Sequence, residues 1–176
     1  MKSLETFENF FNDSELVKLR EVLNLFDWKY GHRSYRNSDN CFWEAQLSSL
    51  DFFTKTCFDK IQKLTNKKYE IIEVYANGQT KDQDGDFHID SLGVTDPEEL
   101  RLRKTFLIYV SPIFKENVDV IGGYTHFKRS QGDILSIEPL FNRAVLFDAD
   151  IPHLGKAPSV KGIFRISIAY KLKELK

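Results

Sequence analysis

Two periodicities divide this chain. Over its first third, apolar residues recur every three or four positions, as on a helix with one buried stripe. Leu16, Leu19, Leu23 and Phe26 form such a stripe, and Asn12-Asp13-Ser14-Glu15 just before it fits a capping box. A second helix is expected after Ser48, with Asp51 at its third position. Its stripe is Leu50, Phe53, Cys57, Ile61 and Leu64, which makes Cys57 a core filler and not a reactive thiol. Between the helices, residues 28–43 set Trp28, Tyr30, Tyr35 and Trp43 among polar neighbours and predict one or two short strands.

From about residue 69 the pattern becomes alternating, the period of a half-buried strand. Strands are expected at 69–75, 86–90, 105–112, 124–127, 133–137, 144–147 and 162–171, punctuated by Gly78, Gly85, Gly122-Gly123, Gly132, Pro139 and Gly155. Many short strands with turn signals between them predict a sandwich or barrel, mostly β, with the two helices packed on one outer face. One domain over residues 1–176 is expected, with a helical part at 1–68 and the strand-rich core at 69–171. The polar stretch from Ser91 to Lys104 is long for a connection, as functional loops often are.

Composition narrows the class. Fifteen phenylalanines and a 41% apolar share exclude a disordered chain. A net charge of −1 argues against a duplex-binding protein that works by neutralising phosphates. The basic run from Arg101 to Lys104 reads as a solvated rim. No apolar run is long enough to cross a membrane, and the first residues do not read as a secretory signal. Cys41 and Cys57 make neither a disulfide framework nor a zinc knuckle. A cytoplasmic protein is the simplest expectation.

Four histidines remain to be sorted: His32, His88, His126 and His153. In Phe87-His88-Ile89-Asp90, alternation points His88 and Asp90 to one face. His153 follows the apolar strand 144–147 and a turn. One histidine and one carboxylate from a strand, with a remote second histidine, fit the two-histidine, one-carboxylate triad of non-haem iron. A closed zinc site would need a fourth ligand. Asp86 shares the face of His88 and is a rival carboxylate. In the last strand, Phe164, Ile166, Ile168 and Tyr170 take one face, so Arg165 and Ser167 take the other, toward the interior. A buried guanidinium needs an anionic partner, and that strand offers no acid there. A dicarboxylate ligand would satisfy it, with the Ser167 hydroxyl as a second donor.

His88-x-Asp90, His153 and Arg165-x-Ser167, in this order along a strand-rich half, resemble the Fe(II)- and 2-oxoglutarate-dependent dioxygenases. The finer pattern is similar to the prolyl 4-hydroxylase branch: Glu73-Val74-Tyr75, Leu107-Ile108-Tyr109-Val110, Gly122-Gly123 and Glu138-Pro139-x-x-Asn142-Arg143. The resemblance covers roughly residues 69–171. It implies a double-stranded β-helix (jelly-roll) core with N-terminal helices packed on one sheet. His88, Asp90 and His153 would bind Fe(II), and this order favours Asp90 over Asp86. Arg165 would hold the far carboxylate of 2-oxoglutarate, Tyr109 would add its hydroxyl there, and Tyr75 would line the pocket near the metal. Dioxygen is the third reactant, succinate and carbon dioxide are products, and ascorbate is a candidate reductant.

The expected reaction is hydroxylation of a C–H bond, in a prolyl residue of a peptide or in a prolyl-like small molecule. The same mechanism on a nucleobase or another metabolite is an alternative, as is a binding protein that kept the barrel and lost the chemistry. Substrate contacts are expected from residues 30–43, 81–104 and the loop 154–161. His32 and His126 read as bystanders, Asp148 and Asp150 as turn residues. Asp82, Asp84 and Asp86 recur like a calcium loop, but Phe87 stands where that loop needs glycine.

Overall fold

The computed structural model describes residues 3–129 and 132–175. Its strands, numbered in chain order, form two antiparallel sheets packed face to face. The larger sheet runs β1 (Leu4–Phe7), β8 (Ala144–Asp148), β5 (Arg103–Tyr109), β10 (Arg165–Glu174), β4 (Tyr69–Gln79), β3 (Phe42–Gln46), β2 (Lys29–His32). The smaller runs β7 (Ile134–Ile137), β6 (Thr125–Lys128), β9 (His153–Gly155). Behind the larger sheet lie α1 (Asp13–Leu23) and a π-helical stretch, Phe52–Cys57, that continues into α2 (Phe58–Thr65).

Alternation along β10 organises both layers. Ile168, Tyr170 and Leu172 are fully buried on the helix side, against Leu19, Phe53, Cys57 and Ile61. Each such side chain contributes about 1.5–3 kcal/mol of burial. Arg165, Ser167, Ala169 and Lys171 face the other sheet and line a pocket there. A slip of one residue would exchange the two sets, so the hydrophobic pattern fixes the register. β10 is also covered on both edges, by β4 and by β5.

The expected capping box is present: Asn12 Oδ1 accepts from Glu15 N at 2.9 Å, and Glu15 Oε2 accepts from Asn12 N at 2.8 Å. The second helix differs from its expectation. Ser48 does not cap it; the helix starts from Asp51, whose side chain makes no capping bond. Its first turns are π-helical and space Phe53, Cys57 and Ile61 four apart, while Leu64 is left 43% exposed. Nor are the first 68 residues wholly helical, since β1, β2 and β3 join the larger sheet. β1 reads Leu-Glu-Thr-Phe, too short to show a period, and exists through its pairing with β8. Asn142 ties the next segment down: Oδ1 accepts from Phe11 N at 2.6 Å and Nδ2 donates to Phe11 O at 2.9 Å.

Other boundaries move as well. Residues 86–90 make only one bridge, His88 to His153, because the chain turns at Asp90 to donate to Ala149 O. The stretch 91–104 is partly ordered: α3 (Pro97–Leu102) starts at Asp96, whose side chain accepts from Glu98 N at 3.0 Å. Arg103 and Lys104 belong to β5 and pair with Glu99 and Asp148. No helix among the described residues is long and apolar enough to cross a membrane.

Gly78 is no strand terminator but lies inside β4. A Cβ there would stand 2.2 Å from the Phe164 ring and 2.9 Å from Trp28, an approach only glycine allows. Gly78→Ala should cost about 1–3 kcal/mol through overpacking, read as a lower urea midpoint at unchanged m-value.

Candidate active site

The backbone sets the metal-binding groups before any side chain joins them. His88 and His153 face each other across their bridge, each N–H bonded to the other's carbonyl at 3.0 and 2.9 Å. His88 Nδ1 lies 2.9 Å from Asp86 O, and His153 Nδ1 lies 2.9 Å from Ile151 O. A carbonyl can only accept, so each Nδ1 carries a proton, and Nε2 is the ring nitrogen left to bind a metal. Both Nε2 atoms point at Asp90, 3.4 Å from Oδ1 for His88 and 3.4 Å from Oδ2 for His153. One ligand atom from each of the three residues lies within 4.8 Å of the others. Two imidazole nitrogens and one carboxylate on one side are a donor set that suits a divalent iron.

Asp90 is itself held from behind. Thr105 and Lys171 are direct partners across β5 and β10. Thr105 Oγ1 donates to Asp90 Oδ2 at 2.6 Å, and the Lys171 ammonium pairs with the same oxygen. Burial opposes the charge of Asp90, but Lys171 and then the two histidines outweigh it and hold the carboxyl well below the usual range. Burial likewise opposes the charge of Lys171, and Asp90 outweighs it, so the ammonium is held above its usual range. Burial pushes the Tyr75 phenol up to about 12, which keeps it a neutral neighbour of that ammonium.

At the other end of the pocket stands Arg165, 2% exposed. Nε donates to Gly123 O at 2.7 Å, Nη1 to Gln79 Oε1 at 2.9 Å, and Nη2 to Thr125 Oγ1 at 3.0 Å. A longer contact, 3.4 Å, reaches Ser167 Oγ. Every acceptor is neutral, and burial lowers the pKa of the guanidinium. Thr125 Oγ1 also accepts from the Tyr109 hydroxyl at 2.8 Å. With both lone pairs used, its own proton is free to serve a ligand. Gly123 allows this packing: a Cβ there would lie 3.1 Å from Arg165 Cδ.

The pocket therefore brings together His88, Asp90, His153, Arg165, Ser167 and Tyr75. Tyr109 is placed differently. Its ring lies under the guanidinium at 5.5 Å, and its hydroxyl is spent on Thr125 behind the wall. His32, read as a bystander, sits on β2, bonded to Glu44 at 2.7 Å, and lines the pocket. His126 is bonded to Ser136 and stands outside the pocket. Asp86 turns its carboxylate to Ser38 and Asn40, which removes it as a rival ligand. Thr105, Thr125, Gln79 and Lys171 are additions. Lys171 has the strand parity of Arg165, a signal the sequence carried.

No protein-family model and no curated protein matches this sequence. Solved structures do match in fold. An oxidoreductase of the 2OG-Fe(II) oxygenase family from Burkholderia pseudomallei superposes with a TM-score of 0.74 at 10% identity, over 97% of this chain and 84% of its own. A prolyl hydroxylase from Trichoplax adhaerens, in complex with a hypoxia inducible factor peptide fragment, gives 0.71 at 20% identity, over 97% and 83%. HygX from Streptomyces hygroscopicus, with nickel, 2-oxoglutarate and hygromycin B bound, gives 0.71 at 12% identity, over 98% and 83%. The chain thus has the double-stranded β-helix fold of the 2OG-Fe(II) oxygenases.

Burial holds the metal-free His153 ring down to about 4 from an ordinary 6.5, against the opposing pull of Asp90. Between those values the unfolded chain binds more protons, so stability falls as pH falls, by at most about 1.4 kcal/mol per pH unit. Asp90 acts in the same direction at still lower pH. Chelator-treated protein should lose urea resistance from about pH 6.5 down to about 4, and His153→Gln should flatten that window.

Proposed function

We propose that this chain is an Fe(II)- and 2-oxoglutarate-dependent dioxygenase that hydroxylates a C–H bond of a prolyl residue in a peptide or of a prolyl-like small molecule. One observation carries the reading. A single pocket has the His88–Asp90–His153 donor set at one end and, at the other, a buried Arg165 with only neutral partners. A buried guanidinium in that state calls for an anion. A ligand with a metal-chelating head and a distal carboxylate answers both ends, and 2-oxoglutarate is such a ligand.

In this reading His88, Asp90 and His153 hold the iron on one side and leave its other positions to reactants. Arg165 and the Thr125 hydroxyl receive the distal carboxylate, with Ser167 beside them. Tyr109 acts through Thr125 and through its ring beneath the guanidinium. Tyr75 lines the metal end. When bound, iron, 2-oxoglutarate and dioxygen together supply the oxidising equivalents that turn C–H into C–OH with release of succinate and carbon dioxide. Ascorbate would serve as an accessory reductant. The prolyl hydroxylase among the fold neighbours supports the substrate side. Two unpaired cysteines favour the cytoplasm.

Purified protein with Fe(II) should convert 2-oxoglutarate to succinate, and His88→Ala should abolish this without changing the circular dichroism spectrum. Arg165→Ala should raise the 2-oxoglutarate requirement on the order of 100-fold, as loss of charge-assisted bonds does, with metal content intact. A wild-type protein that neither binds nor consumes 2-oxoglutarate would end this reading.

A further inference from the structure

The pocket carries a charge that the proposed reaction does not use. Among its lining residues Asp90 is the one acid, whereas Arg33, Arg165 and Lys171 are basic. Under the reading above, on which this inference rests, the metal dication, the 2-oxoglutarate dianion, Asp90, Arg165 and Lys171 together leave one positive charge. That charge is in excess among the lining residues; Glu73, level with Lys171 on β4, is exposed and does not line the pocket. The present partner of Lys171, Asp90 Oδ2, is already shared with the Thr105 hydroxyl, and that carboxylate must also face the metal. Glu44, on the adjoining strand β3, is engaged by His32 and Gln46. Among the described residues Arg33, also in the lining, bonds only a neutral carbonyl, that of Ser38.

The ammonium of Lys171 has little solvent to fall back on, since only 15% of its side chain is exposed. In such a setting an excess cation favours ligands that bring a negative charge and disfavours neutral ones. A second group awaits a partner. Asn77, level with Ser167 on the pocket face of β4, has a buried Oδ1 with no hydrogen bond. 2-Oxoglutarate has no donor to give it, whereas an N–H of a substrate would. The cavity measures about 210 Å³ with neither metal nor cosubstrate in it, so beside them it leaves room for no more than a small molecule or one side chain.

We propose that the substrate is a small amino-acid-type molecule whose carboxylate pairs with Lys171, and that Lys171 is the residue that selects it. This separates a free carboxylate from a prolyl residue inside a peptide, which has none.

The test uses residues 1–176 loaded with Mn(II) and 2-oxoglutarate, which binds without turnover. The probes are common free amino acids, each paired with its primary amide, and capped peptides with a central Asp or Glu. Binding is read from Mn(II)-enhanced proton relaxation of each probe. Wild type should bind at least one free acid about tenfold or more tightly than its amide. Lys171→Met should lose that ratio and Lys171→Arg should keep it, each read at Mn(II) and 2-oxoglutarate concentrations that saturate that variant. Amides that match their acids throughout, the absence of any bound acid, or an unchanged ratio in Lys171→Met would overturn the proposal. So would binding confined to the acidic peptides, which would reject the free-molecule assignment. If Lys171→Met fails to fold, the wild-type ratio and Lys171→Arg still decide. Failure of 2-oxoglutarate itself to bind the Mn(II)-loaded wild type would instead strike the oxygenase reading.

Discussion

Strict alternation along one central strand governs the molecule. β10 turns Ile168, Tyr170 and Leu172 into the helix-side core and Arg165, Ser167 and Lys171 into the pocket. The core set cannot be exposed without losing several kcal/mol of burial, and the charged set cannot be buried among phenylalanines. The same constraint that stabilises the fold therefore aims the chemistry. With β4 and β5 hydrogen-bonded along its two sides, the strand has no freedom to shift its register.

The two ends of the pocket handle charge by opposite means. At the metal end, Asp90 has more partners than one carboxylate needs: two imidazoles, an ammonium and a hydroxyl. At the far end, Arg165 has only carbonyl, amide and hydroxyl oxygens. An ion pair drawn between the ends would satisfy both within the chain, and their separation along β10 prevents it. The pocket is thus polarised by construction. A ligand that chelates at one end and is anionic at the other fits only one way round.

What the sequence made legible follows from how local each signal is. The parity of His88 with Asp90, and of Arg165 with Ser167, needs only neighbouring residues, and the structure places all four side chains in the pocket. The chain order of these residues then points to a fold. Less local features escaped. β1 becomes a strand only by pairing with β8, and Gly78 continues β4 because Phe164 and Trp28 lie against it. The 86–90 segment pairs at a single residue because of where Ala149 comes to lie. Lys171 shows the intermediate case: its direction follows from parity, but its partner comes from a distant loop.

The imidazole orientations rest on main-chain oxygens, those of Asp86 and Ile151, and one of the guanidinium bonds ends on the carbonyl of Gly123. No substitution can delete a carbonyl. These anchors persist through any change of side chain that leaves the local backbone in place, so point mutation can reach the two imidazoles but not the oxygens that orient them. Such a site tolerates wide sequence drift around a few fixed positions. That is consistent with a chain whose fold superposes closely on oxygenases with which it shares as little as a tenth of its residues.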